Sequence, residues 1–496
     1  MSGGIDWTAL WVFIGFFVLV TAMGFFAARW RRPETLAHLD EWGLGGRSFG
    51  TWITWFLVGG DFYTAYTVIA VPAVVYAVGA YGFFALPYTI IVYPIVFAIM
   101  PKLWAVAAAG GHVTAADVVH ARYNSRPLEL AVAITGVIAT MPYIALQLVG
   151  MEVVLGALGL TGEVPLAVAF IVLALYTYSS GLRAPALIAF VKDIMIYIVV
   201  LVAVAIIPMK LGGYANVFAS AERVFAAKGG ATGLILAPGQ YLPYATLALG
   251  SAMAAFMYPH TLTGIFASNS GNTIRKNAVL LPAYTILLGL IALMGYMAHA
   301  AGIVTTTPTA VVPLLFKALF DSWFAGFAFA AIAIGALVPA AVMSIGAANL
   351  FTRNFWKAYV NPQVSHAGEA QVAKVTSLAV KVGALACILF LPTQFALDLQ
   401  LLGGLWILQT FPAVVFGLFT GWFRGGPLLL GWAVGFLGGS WMAWSDGLKP
   451  LHGLLLGGTT YTVYVGLLAL VANVVVAVLA NLVLRVMQPE RVAHTA

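Results

Sequence analysis

Phe56-Leu57-Val58-Gly59-Gly60-Asp61-Phe62-Tyr63-Thr64-Ala65-Tyr66 lies in the middle of a hydrophobic run from about Trp52 to Val78. A run of that length crosses a bilayer as a helix. The Gly59-Gly60 pair removes the side chains that stiffen a helix, so unwinding there is cheap. Asp61 follows directly, and a carboxylate at membrane depth is costly against lipid, so it faces a cavity or a partner. A helix broken at mid-membrane presents unpaired carbonyls on one side and unpaired amides on the other, ready ligands for a cation and an anion. The alternative is a kinked packing helix in which Asp61 pairs with a neighbouring base. A binding site at the break is the expectation.

The rest of the chain agrees. Of 496 residues, 62% are hydrophobic and only 8% charged, and the mean hydropathy is +1.00. A soluble domain has too few polar residues at that composition to cover its surface. The first apolar run, about Trp7 to Ala27, is too long for a cleaved signal, and Arg29-Trp30-Arg31-Arg32 follows rather than precedes it. The single cysteine, Cys387, excludes an intrachain disulfide. About 13 spans are expected, at residues 7–27, 49–79 (broken), 82–107, 128–156, 164–181, 185–208, 243–267 (broken), 277–301, 323–351, 374–392, 397–421, 426–445 and 460–486.

The net charge of +7 is explained by its distribution rather than by a nucleic-acid partner. With the N-terminus outside, Arg29, Arg31, Arg32, Arg47, Lys102, Arg122, Arg126, Arg183, Arg275, Lys276, Arg353, Lys357, Lys374, Arg424, Arg485 and Arg491 are cytoplasmic. Only Lys210, Arg223, Lys228, Lys317 and Lys449 remain outside. The positive-inside rule then predicts N-out, C-in and an odd number of spans. Val113 to Pro127 reads as an inner connection with a short polar helix, and Ala215 to Gln240 as a long outer loop. Gly431, Gly435 and Gly439 share one helix face, a packing surface within the monomer or at a dimer seam. A monomer or weak homodimer in a lipid bilayer is expected.

A second interruption follows the first by about 200 residues. Gly250-Ser251 and Tyr258-Pro259-His260-Thr261 lie in the seventh span, where the proline frees a carbonyl and bends the helix. Two interrupted helices at corresponding places in two halves mark an inverted-repeat secondary transporter. The division is 1–48 peripheral, 49–208 first repeat, 243–421 second repeat and 426–496 peripheral. An enzyme is not expected: there is no metal-ligand spacing, nucleophile elbow or phosphate loop, and no cofactor is called for. A channel or a sensor fits less well, because two interrupted helices suit alternating access and no large output domain is seen.

Several motifs resemble the sodium:solute symporter family: Gly181-Leu182-Arg183-Ala184 leading to Lys192-Asp193, Tyr258-Pro259-His260 leading to Ala267-Ser268-Asn269-Ser270, and Pro339-Ala340-Ala341-Val342-Met343-Ser344. They run in the same order along nearly the whole chain, and within the family the chain looks most like the bacterial monocarboxylate permeases. The resemblance implies an all-α integral membrane fold of the leucine-transporter type. In it, a 5+5 inverted repeat carries one extra N-terminal and two extra C-terminal helices, in the bacterial inner membrane. It further implies uptake of lactate, pyruvate, propionate, acetate or similar acids by alternating access.

Carried onto this chain, the family's sodium ion would be held by the carbonyls of Gly59, Phe62 and Ala341 and the hydroxyl of Ser344. The family usually has a second hydroxyl next, but here it is Ile345, which offers no oxygen to a hard cation. The usual threonine-aspartate of the fifth core helix is replaced by Lys192-Asp193. Lys192 lies about 12 Å into its span at 1.5 Å per residue. It supplies a positive charge in place of sodium or exchanges a proton, pairing with Asp61 in preference to its helix neighbour Asp193. The competing reading lets it snorkel to the inner surface. These two substitutions place sodium in doubt and point to H+ rather than Na+ as coupling ion.

The small carboxylate is expected at the N-terminal end of the helix that resumes after Asp61, with Tyr63 and Thr64 adding hydroxyl donors. Tyr143 and Gln147, at i, i+4, line the opposite wall; Tyr258 and His260 lie at the second break, in a region where the resemblance implies substrate or gate side chains. A protonated His260 would bind the carboxylate, unless it serves as a structural hydrogen-bonding group. Trp406 and Gln409 either close the pocket or belong to the core. The alternative function is a sodium-coupled symporter of another small solute, an amino acid, sugar or polyol.

Overall fold

Apolar runs too long for one side of a soluble core fold here as helices, since each satisfies its own backbone hydrogen bonds. The computed structural model describes residues 4–30, 36–390 and 396–487; Arg31, Arg32 and Arg491, counted above as inner cations, lie outside the described residues. The first half comprises α1 (Trp7–Phe26), a short α2 (Leu39–Leu44), α3 (Thr51–Phe62), α4 (Ala65–Val78), α5 (Ala85–Ala109), α6 (Ala115–Tyr123), α7 (Arg126–Ala157), α8 (Glu163–Ser180), α9 (Arg183–Lys210) and α10 (Tyr214–Lys228). The second comprises α11 (Tyr241–Ala255), α12 (Pro259–Phe266), α13 (Gly271–Leu280), α14 (Pro282–Ala300), α15 (Val311–Leu319), α16 (Ser322–Phe351), α17 (His366–Phe390), α18 (Ala396–Leu408), α19 (Gly417–Phe419), α20 (Gly425–Ser445) and α21 (Val465–Met487).

Among the described residues, ten segments are long and apolar enough to cross a membrane, and the bent pair Gln400–Leu408 with Pro412–Phe419 makes an eleventh. The two remaining expected spans are helical as well. Residues 243–267 form the pair α11 and α12, each too short to cross alone, and 374–392 fall largely in α17. The connection at Val113–Pro127 carries α6, started by a reciprocal cap between Thr114 and Asp117. One element was not foreseen: an antiparallel hairpin, Leu451–Leu456 with Thr459–Tyr464, takes the start of the expected last span.

The centre of the bundle is α16, which carries no ionisable side chain and whose apolar stretch is entirely buried. It packs against α1, α7, α9, α12 and α17. The two broken helices lie beside it and touch each other through α3 and α12. Backbone bonds tie their far ends: Phe49 donates to the Ala267 carbonyl at 3.1 Å, and Asn269 donates to that of Phe49 at 2.9 Å.

The first break is not where the glycines predicted it. Gly59 and Gly60 are helical, and the chain leaves the helix at Tyr63 (φ −110°, ψ 77°) and Thr64 (φ −102°, ψ 177°). The glycines serve close approach instead. A Cβ on Gly60 would stand 2.5 Å from Lys192 Nζ and 2.7 Å from Asp193 Oδ2, and one on Gly59 would enter the Tyr284 ring. The second break falls as expected, with Tyr258 extended and Pro259 opening α12. Gly431, Gly435 and Gly439 pack on α21, against Asn473 and Ala469, so this surface is used within the monomer.

Candidate functional site

α11 stops at Ala255 and α12 starts at Pro259, so the side chains of the intervening turn meet α3 where it ends. A small cavity of about 40 Å³ forms there. Asp61, Phe62, Tyr88, Tyr143, Ser251, Tyr258, His260, Thr261, Gln400 and Tyr464 contribute to its wall. Asp61 Oδ2 lies 3.5 Å from His260 Nε2, and both side chains are buried. The Tyr143 ring stands edge-on to those of His260 and Tyr258, at 5.3 and 5.5 Å. Among the described residues, four buried polar atoms of this wall make no hydrogen bond: Asp61 Oδ1, Ser251 Oγ, His260 Nδ1 and Gln400 Oε1. Buried polar atoms left unpaired are expensive. Their convergence on one cavity is what a site for a small polar ligand requires.

A second small cavity, of about 20 Å³, lies against the next residues of the same turn. It is lined by Met257, Pro259, Leu262, Thr263 and Phe266 and is largely apolar. Tyr258, His260 and Thr261 therefore face one cavity while Met257 and Pro259 face the other.

Behind Gly60 lies a separate charged group. Lys192 Nζ is 2.9 Å from Asp193 Oδ1 and donates to the carbonyls of Gly60 and of Tyr63, the latter at 3.3 Å. Tyr284 Oη donates to Asp193 Oδ2 at 2.7 Å. Lys192 is thus fully buried and does not snorkel. Its partner is Asp193, not Asp61 as the helix spacing suggested. Gly60 has no side chain, so the long lysine stem reaches the α3 backbone there and curls back to its own neighbour. Asp61, the next residue, projects from another face of α3 toward His260.

Three of the four oxygen atoms that the resemblance assigned to sodium are already engaged. The Phe62 carbonyl accepts from Thr67 Oγ1 at 2.7 Å, and the Ala341 carbonyl accepts from Ser344 Oγ at 2.8 Å. Ser344 in turn accepts from Ser377 Oγ at 3.1 Å, and Ser377 accepts from the buried Lys381 Nζ at 2.8 Å. Gly59 packs on Tyr284, and Ile345 is buried.

Asp61, Phe62, Tyr143, Tyr258 and His260 come together at the cavity; the other candidates do not. Tyr63 is stacked on Tyr284 at 4.8 Å, on the Lys192 side. Thr64 and the amide end of α4 lie against Gly335 of α16 rather than in the cavity wall, because the break comes after Tyr63. Gln147 is buried, with its amide 3.4 Å from the Tyr143 carbonyl. Trp406 Nε1 donates to Ser440 Oγ at 3.0 Å, and Gln409 donates to the Gly466 carbonyl at 3.2 Å, so both turn toward α20 and α21. Ser251, Gln400, Tyr464 and Lys381 were missed. Lys381 alone carried a signal, a charge inside an apolar run.

Comparison with known proteins supports this architecture. A family model described as the sodium:solute symporter family matches residues 42–425. A "Monocarboxylate transport permease protein" of Rhizobium johnstonii is 74% identical over 491 residues, 99% of this chain and 100% of its own. An "Uncharacterized symporter YodF" of Bacillus subtilis is 34% identical, over 83% of each chain. A solved structure of a Na+-coupled sialic acid symporter, in a substrate-bound outward-open state, superposes with a TM-score of 0.77 at 15% identity. It covers 96% of this chain and 98% of its own, and establishes the fold as the leucine-transporter type. By the family match and these relatives, the chain is a multi-pass membrane transporter and belongs to the sodium:solute symporter family.

Proposed function

We propose that this symporter takes up small monocarboxylates together with protons, and that the Lys192 ammonium fills the place its family gives to sodium. The observation that carries the reading is the Lys192 contact set. An ammonium within reach of two carbonyls at the end of α3 and the Asp193 carboxylate does what a bound cation would do at a broken helix. The engaged oxygens of Phe62, Ala341 and Ser344 and the apolar Ile345 support the same conclusion.

A small acid suits the cavity. Its wall has a hydroxyl donor in Ser251 and an imidazole in His260, one nitrogen of which faces Asp61 while the other is unpaired. Among the described residues no lysine or arginine lines it, so the affinity for an anion depends on these donors. The printed name of the 74% identical relative is consistent with that chemistry. The two cavities on opposite sides of Tyr258–Pro259–His260 fit alternating access, with this turn as the barrier between them. The reading keeps the N-terminus outside, which puts the Asp61 cavity in the outer half.

The test is uptake of labelled lactate into proteoliposomes under separately imposed pH and sodium gradients. An inward proton gradient is expected to drive accumulation, with sodium and choline equivalent. Accumulation that needs sodium would contradict the coupling, and no lactate uptake under either gradient would contradict the substrate class.

A further inference from the structure

The two buried lysines of the core are held in different ways. Lys192 is surrounded by a carboxylate and two carbonyls. Lys381 is equally buried, in the middle of α17, but its one hydrogen bond is to the Ser377 hydroxyl. Among the described residues no carboxylate lies within ion-pair distance of it. A charge taken from water without a carboxylate is costly, whereas a neutral amine is not.

The neighbouring elements offer no compensation. α16 has no ionisable side chain. On α7, Glu129 is engaged by His120, Arg126 and Asn354, Glu152 is exposed and Tyr143 faces the cavity. On α8, Glu163 is exposed, Tyr176 packs toward α1 and Tyr178 accepts from Gln371. On α2, Glu41 is bound to Arg183, and Asp40 lies on the first turn of that helix, outside the spans. On the π-helical continuation of α16, Thr352–Val360, Arg353 and Lys357 both grip Glu369, the acidic residue at the start of α17 itself.

We propose that Lys381 is the residue that carries the coupling proton, with Lys192 as the fixed cation. The inference rests on the proton-coupled reading above. Three consecutive hydrogen bonds run from Lys381 through Ser377 and Ser344 to the Ala341 carbonyl. When the ammonium gives its proton to water, the neutral amine gains a lone pair and can accept from Ser377, so the hydroxyl chain can reverse. That chain ends on α16 one turn from the site. Gly346 presses on the backbone of Pro259 and His260, where a Cβ would come within 2.9 and 3.0 Å. The proton on Lys381 therefore acts on the helix that supports the turn between the two cavities. One proton bound outside and released inside per carboxylate anion makes the cycle electroneutral.

The test measures net accumulation and exchange of labelled lactate separately, in full-length protein. With one proton per lactate, an inward pH gradient of about one unit supports roughly tenfold accumulation. Lys381→Arg keeps the cation but cannot release its proton. It is expected to drop accumulation to equilibration while lactate–lactate exchange persists. Ser377→Ala, which leaves the lysine in place, is expected to shift the pH midpoint of accumulation without abolishing exchange. Wild-type accumulation by Lys381→Arg would overturn the proposal, and so would equal loss of exchange and accumulation in a variant that still folds. Should Lys381→Arg fail to fold, Ser377→Ala decides, and an unmoved midpoint overturns it. A wild type indifferent to the pH gradient would fail one step earlier, at the function proposed above, and this inference would fall with it.

Discussion

The two broken helices are broken by different means. Between α11 and α12 the cause is local: Pro259 cannot continue the helix before it, and the chain turns at Tyr258 whatever surrounds it. Between α3 and α4 neither break residue is a glycine or a proline. Tyr63 and Thr64 leave the helix because Lys192, from another span, takes the carbonyls of Gly60 and Tyr63. One break is covalent and belongs to its own segment. The other is a tertiary event that depends on the buried Lys192 side chain.

The largest effect expected from this difference is at Lys192. Lys192→Met leaves the Asp193 carboxylate buried and the α3 carbonyls without a donor, which costs about 3–5 kcal/mol. Melting temperature and lactate uptake should both collapse, and the double change Lys192→Met, Asp193→Asn should recover part of the stability. No destabilisation in the single variant would remove the tertiary account of the first break. Next comes Gly60→Ala, whose methyl would push on Nζ and Oδ2. Displacing the pair costs about 1–3 kcal/mol by overpacking and should lower uptake with it. Pro259→Ala tests the other break. Proline at a first helical turn contributes about 0.4–1 kcal/mol through the unfolded chain, so a loss equal to that of Gly60→Ala would erase the contrast. The smallest effect is at Trp406→Phe, which gives up the bond to Ser440 on the far side of α18. That bond is worth about 1 kcal/mol, and the KM for lactate should not move; a several-fold rise would return Trp406 to the pocket.

Those differences also mark what the sequence made legible. Most of the apolar spans, the second break and the short polar helix within Val113–Pro127 follow from patterns contained in one segment: apolar length, a proline and a polar stretch. Asp61, Tyr143, Tyr258 and His260, which line one cavity, were singled out by a charge in an apolar run, by helical spacing and by the family resemblance. The Gly59-Gly60 pair misled because a glycine that permits unwinding and one that permits close packing are the same residue. Only the approach of Lys192 and Tyr284 shows which it is. Helical spacing set Lys192 against Asp61, but a four-carbon stem can bend back to Asp193, and adjacency in sequence says nothing of that. Trp406 and Gln409 lie on a helix between the core and the peripheral α20 and α21, and periodicity does not tell which side a polar group serves. Ser251, Gln400 and Tyr464 meet the cavity only through packing of elements far apart in the chain.

The central claim is that a fixed ammonium stands where a sodium ion would bind, and a ligand that binds only the folded protein raises its stability by mass action. The most direct measurement is the melting temperature of the purified symporter as sodium chloride replaces choline chloride at constant ionic strength. The account predicts no saturable shift in the wild type. A saturable stabilisation by sodium would show an ion site beside Lys192 and contradict it.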